Sequence, residues 1–460
     1  MRTRTVRTLG FALAGTALLA GTLFAGTALA HGGSLRAASG SLSIPTWLFL
    51  LTGGGVVGAS FLLASFVTDR AFIRAAHDWR RVASVSLDRL VGATRIASVI
   101  ALVGVVAIGF GGPTDPLRNA AVLVVWVGWW AGYVATVYLL GNSWPAVNPW
   151  RAIAEWLPSL DREYPERFGV WPSVVGLLAL VWLEVVSPLA DEPGLLASVV
   201  AGYSVATLAG AFVYGPDAWF TRVDPVSRVF RYYGRVAPVH RTDSGFELRP
   251  PGAALTEPRL ADGRDEVAFV VALLWVTTYD GFVGTPLWRE FALGVVGLGV
   301  PSVVVYPAAM LVGFGLFLGA YRLAARYSRT TADTYLTPEA IGRRFAPSLL
   351  PIAAGYHLAH FLGYFISLSP ALFAALADPV SPPLNPLLIV LPGWFGSLAV
   401  AFVLLGHLLA VWVAHATAYE VFPGRLQAVR SQYPFVVVMV LYTMTSLWIV
   451  AAPDATPPFV

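Results

Sequence analysis

The sequence predicts an all-α, polytopic transmembrane helix bundle of about ten spans. Three observations carry that expectation. Hydrophobic residues make up 57% of the chain and charged residues only 12%, with a mean hydropathy of +0.69, where a soluble domain carries about twice that charged share. Apolar runs close to the length needed to cross a bilayer as a helix recur from end to end. The arginines segregate into alternate connecting loops.

The chain opens with a segment that reads as a cleavable signal peptide, 1–30. Arg2, Arg4 and Arg7 form a basic start, LGFALAGTALLAGTLF is its apolar stretch, and Ala28-Leu29-Ala30 supplies the small residues a signal peptidase requires. Cleavage there makes His31 the mature N-terminus on the outer face. The remainder, 31–460, reads as a single transmembrane helical domain. Its spans are drawn at 46–67, 95–112, 119–140, 172–190, 195–214, 266–281, 299–324, 347–369, 394–417 and 434–451, the sixth being the shortest.

Orientation follows from the basic residues, all 30 of which are Arg. The loops 67–95, 141–171, 215–265, 322–346 and 418–433 hold 24 of them, against only Arg36, Arg118 and Arg289 in the opposite loops. The Arg-rich loops are therefore expected in the cytoplasm of a multi-pass cell-membrane protein, with the mature N-terminus and the C-terminus outside. The largest of them, at about 215–265, has Ser-Gly and Pro-Pro breaks that permit a small hairpin at most. The net charge of +4 follows from this topology and implies no nucleic-acid partner. The lipid bilayer is the implied environment. Cysteine is absent, which excludes disulfides, thiolate catalysis and Cys-ligated metal.

Function is sought where ionisable groups sit in hydrocarbon, because burial there is costly and such groups pair or act. His357 and His360 lie in PSLLPIAAGYHLAHFLGYFISL, His407 in GSLAVAFVLLGHLLAVWVAHATA and Glu184 in PSVVGLLALVWLEVVSPLA. With a rise of about 1.5 Å per residue, His357, His360, His407 and Glu184 all fall near mid-membrane, and Asp280 lies toward the outer end of its span. His357 and His360, at i and i+3, share a helical face. The expectation is a metal centre of His357, His360 and His407, with Glu184 or Asp280 as catalytic acid or base. Imidazole and carboxylate suit Zn, Cu or Fe as the divalent transition metal. Each histidine alone is also compatible with a packing role, and Asp280-Gly281 with a helix cap or turn. His415 is placed at the cytoplasmic boundary. The string NSWPAVNPWR reads as a rigid interfacial turn with tryptophan anchors. A mature His31-Gly32-Gly33 end could chelate Cu(II).

The mature start HGGSLRAASGSLSIPTWLFLLTGGGVVGASFLLASF, with NSWPAVNPWR, YDGFVGTPLW and GYHLAHFLGYF, resembles a prokaryotic membrane family labelled fenitrothion hydrolase-like. That resemblance implies phosphotriester hydrolysis and supplies no catalytic residues. Three functions compete. A metal-dependent membrane hydrolase would act on an apolar ester or lipid-like substrate. A transporter would carry a copper or zinc ion, or couple to protons, through the same cluster. A haem electron-transfer protein would use His357 and His407 as axial ligands.

Overall fold

The computed structural model describes residues 46–84, 88–242, 245–453 and 455–458. The expected signal segment 1–30 and His31 lie outside the described residues. The chain is predominantly helical. In order run α1 (Thr46–Ser65), α2 (Arg70–His77), β1 (Arg81–Ala83), α3 (Asp88–Gly111), α4 (Ala120–Leu139), α5 (Pro149–Trp156), α6 (Trp171–Val186), α7 (Pro193–Tyr214) and α8 (Pro225–Tyr233). There follow β2 (Val239–Thr242), β3 (Gly245–Leu248), α9 (Arg264–Val283), α10 (Pro286–Gly297), α11 (Ser302–Thr331), α12 (Pro338–Phe345), α13 (Leu350–Ala377), α14 (Phe395–Val421) and α15 (Arg425–Ala451).

Among the described residues, eight helices are long and apolar enough to cross a membrane, or nine if a bent pair is counted as one span. That pair is α1 with α2, which turn by 116° at a short break. Asp69 ends the break by capping α2, its Oδ1 accepting from the backbone N–H of Ala71 at 2.9 Å. The fourth expected span, α6, is apolar but only 16 residues long, shorter than the ~20 residues a straight crossing needs.

The short sixth expected span proves to be the centre of the bundle. In α9, 78% of the apolar window is inside the protein, against 6% in α3. Helix α9 packs against α6, α11 and α13. Trp275 Nε1 donates to Met310 O and Tyr279 OH to Tyr306 O, both at 2.9 Å, tying α9 to α11. Helices α13 and α14 approach most closely at two glycines. A Cβ on Gly355 would lie 2.6 Å from Phe402 O and 2.9 Å from Gly406 Cα. Small residues at such a crossing allow backbones to meet, which in lipid is a principal source of helix association.

The Arg-rich segments gather at one end of this bundle. Arg344 pairs with Glu420 at 3.0 Å, Arg264 with Glu339 at 2.8 Å and Arg95 with Glu155 at 2.8 Å. Arg70 donates to the carbonyls of Tyr419, Phe422 and Pro423. The 215–265 region forms more than the hairpin expected. Strands β2 and β3 do pair antiparallel, but β1 joins from the loop after α2, giving the order β1-β3-β2. The same region contributes α8, which folds up against α4, α6 and α13. Arg228, 2% exposed, anchors it by pairing with Glu266 at 2.7 Å, and Tyr232 donates to the same carboxylate. An apolar loop-bound reading missed this because hydropathy cannot register a buried ion pair.

Candidate functional site

A cavity of about 210 Å³ lies within the bundle, walled by α4, α6, α7, α8, α9 and α13. Its surface is aliphatic and aromatic apart from a few polar groups, of which Glu184, Asp280, His357 and Tyr356 are the most distinctive. Helix α6 supplies Glu184 near its end. Helix α9 supplies Asp280, one turn beyond Thr277 and Thr278, whose hydroxyls both bond back to Leu274 O. Such back-bonding bends a helix locally. Helix α13 supplies Tyr356, His357 and Phe361 to the wall.

Aromatic residues form the α4 wall. Residues Leu123–Tyr133 adopt an i→i+5 hydrogen-bonded π-helix, a rare geometry that concentrates at functional sites. Trp126, Trp129 and Trp130 come from this segment. Trp130 meets the His357 ring edge-on with centroids 5.3 Å apart, and Phe361 packs against both rings, 4.7 Å from His357 and 5.9 Å from Trp130. Tyr138, also on α4, places its hydroxyl 3.0 Å from His357 Nδ1. The floor is α8, through Pro225, Val226, Val229 and Phe230.

The acidic pair and one imidazole come together here. Glu184 and Asp280 line the same cavity. His360 Nε2 lies 3.9 Å from Asp280 Oδ2, and the Tyr356 ring stacks on His360 with centroids 5.9 Å apart. The Asp280-Gly281 pair is not a turn, since α9 continues to Val283. Gly281 is instead a point of close approach: a Cβ there would meet Tyr356 OH at 2.2 Å.

His407 does not join them. It is fully buried, and its Nδ1 lies 2.8 Å from Val403 O of its own helix. It forms no part of the cavity wall. Among the described residues, no group of three or more His, Asp or Glu side chains is placed to hold a metal ion. The donor set thus does not fit the three-imidazole centre expected from the sequence. Residue spacing along a helix gives a side chain's position along the span but not its bearing around the bundle, and here His357 lines the cavity wall while His407 does not.

His415, expected at the cytoplasmic boundary, is wholly buried in the protein, with Nε2 2.9 Å from Val67 O and Nδ1 3.2 Å from Gln432 Oε1, so it fastens α14 to the break after α1 and to α15. One other expectation changes. The NSWPAVNPWR tryptophans are internal. Trp144 is 4% exposed, packs 4.6 Å from Phe230 and donates to Ser227 Oγ, while Trp150 donates to Ser204 Oγ at 2.7 Å. Trp126, Trp129 and Trp130, which hydropathy shows only as part of an apolar span, line the cavity together with Trp150. The cluster of Trp126, Trp129 and Trp130 in one apolar span was the available signal.

Comparison of the chain with known protein families, curated proteins and solved structures finds no match.

Proposed function

We propose that the protein is a membrane-embedded hydrolase that takes a small apolar ester into the bundle and cleaves it by acid–base chemistry. The observation that carries this reading is an aromatic, otherwise apolar cavity lined by both Glu184 and Asp280, with His360 Nε2 3.9 Å from Asp280 Oδ2. An apolar pocket with a few convergent polar groups is the usual form of a small-molecule site. Paired carboxylates can divide the roles of base and acid between them. In the proposed reaction one carboxylate of the pair accepts a proton from water as its oxygen attacks the ester. The other carboxyl group, or a protonated His360, returns a proton to the leaving oxygen. Tyr356, against both His360 and Gly281, positions the imidazole. The sequence resemblance points to phosphotriesters among the possible esters.

The test is hydrolysis of a panel of chromogenic carboxylic and phosphotriesters by purified protein in nanodiscs. Turnover is expected, falling by about 10²–10⁴ in Glu184→Gln and in Asp280→Asn, the range that general acid–base groups contribute. Absence of turnover, or variants as active as the parent, would overturn the proposal. Proton-coupled flux in sealed vesicles without hydrolysis would assign the same groups to transport. Elemental analysis of the parent and of His357→Ala decides the ion: a stoichiometric metal lost in the variant would restore a metal-dependent mechanism.

The arrangement of the chain in the membrane belongs to the same proposal. Ten traverses, counting the bent α1 and the short α6, are supported by the gathering of every Arg-rich loop at one end. That end is assigned to the cytoplasm because arginine is retained there.

A further inference from the structure

A second cavity, of about 220 Å³, adjoins the first, and Val125, Trp129, Trp150 and Val200 line both where the two meet. Its outer wall is α3, the least buried of the long helices. Ala101 of α3 lines the cavity and is itself exposed at the surface. The second cavity therefore opens sideways, on a helix whose other face carries exposed Ile100, Val103 and Phe110.

The two cavities differ in what their walls leave unsatisfied. In the second, Ser98 donates to Arg95 O, Tyr133 OH meets Ser143 Oγ, and Trp144 and Trp150 donate to Ser227 and Ser204. What these groups present to the space is hydrocarbon and ring surface. In the first, which Glu184 and Asp280 also line, Tyr356 OH and Trp126 Nε1 are buried without a hydrogen-bond partner among the described residues. Buried polar groups left unpaired are costly, so a ligand oxygen placed there satisfies what the fold leaves open.

We propose that the natural ligand is a single-chain amphiphile: its ester or other polar head occupies the first cavity, between Tyr356, Trp126 and the acidic pair, and its hydrocarbon tail occupies the second. This rests on the hydrolase reading for the fate of the head, but not for the seat of the tail. The ligand enters from the bilayer past α3, and the indoles of Trp129 and Trp150 stand between head and tail compartments. The π-helix contributes to this division by presenting Trp126 and Trp130 to one cavity and Tyr133 to the other, with Trp129 common to both.

The experiment is photo-crosslinking in nanodiscs with a long-chain ester carrying a diazirine midway along its tail, followed by peptide mapping. Labelling of Ala101, Val105 and Trp129 is expected, and a short-chain analogue labelled at its end should mark Trp126 or Tyr356 instead. Ala101→Trp should abolish labelling of Trp129 by the long probe while lipid-facing Ile100 and Val103 still react. Ala101→Leu, a milder plug, should reduce it. Labelling confined to lipid-facing positions, or unchanged by both plugs, would overturn the tail site. Crosslinking is read in parallel with turnover. Mapping to Trp129 without hydrolysis sinks the catalytic reading and keeps the tail site; hydrolysis without that mapping does the reverse.

Discussion

At the scale of single residues, equal depth in a membrane does not imply a shared site. His357, His360 and His407 occupy comparable levels, yet their rings meet different neighbours. His357 is held by Tyr138, Trp130 and Phe361, and His360 faces Asp280. His407 bonds only along its own helix and leaves Nε2 without a partner. Replacing a buried polar group whose hydrogen bonding is incomplete by an apolar one of similar shape is often neutral or stabilising. His407→Leu is therefore expected to unfold in detergent at the same temperature as the parent or slightly above it, and to match the parent in the proposed ester hydrolysis. Loss of activity with unchanged folding would return His407 to the site.

At the scale of elements, two pieces have roles that hydropathy does not reveal. The α4 segment looks like any other apolar span, but its π-helical stretch carries the aromatic wall of both cavities. The β1-β3-β2 sheet, outside the spans, joins loops far apart in sequence and answers to pH. Glu247, nearly buried, pairs with Arg249 at 2.8 Å and Arg80 at 3.5 Å. The Arg249 hydrogen bond holds its carboxyl below the ordinary value. His240, opposite Glu247 in register, is held below its ordinary value by burial and then by the Arg249 and Arg235 cations. Below pH ~6.5 the unfolded segment takes up a proton that folded His240 resists, so stability falls. The Glu247 contribution is fully present above pH ~4.5 and is lost as pH falls through its lowered folded value. Proteolysis of the 236–262 segment should accordingly rise in two stages on acidification. His240→Asn should remove the first stage and Glu247→Gln the second; a single unaltered transition in both variants would show that the sheet does not depend on them.

At the scale of the whole molecule, the ion pairs among distant loops define one polar end and leave a mostly apolar belt. The absence of cysteine makes the orientation directly measurable. Arg241→Cys and Glu290→Cys place single thiols at exposed positions of opposite expected sides. An impermeant maleimide should label Glu290→Cys in intact cells and Arg241→Cys only after permeabilisation. The reverse pattern would invert the topology.

Composition and apolar run length sufficed to determine that this is a helical, membrane-type chain, because in lipid every backbone polar group must be bonded internally and the helix does so within its own run. Glu184, Asp280, His357 and His360 were legible as candidates for the same reason: charge in hydrocarbon is expensive and therefore conspicuous. Tertiary structure alone decided that α9 is the central helix, that α8 folds inward on the Arg228–Glu266 pair, and that tryptophans wall a cavity. It also decided that His407 faces elsewhere. These outcomes depend on how each helix is rotated against its neighbours. Where apolar residues surround a helix on all sides, no hydrophobic stripe remains in the sequence to set that rotation; small-residue contacts such as Gly355 with Gly406 and a few buried hydrogen bonds set it instead.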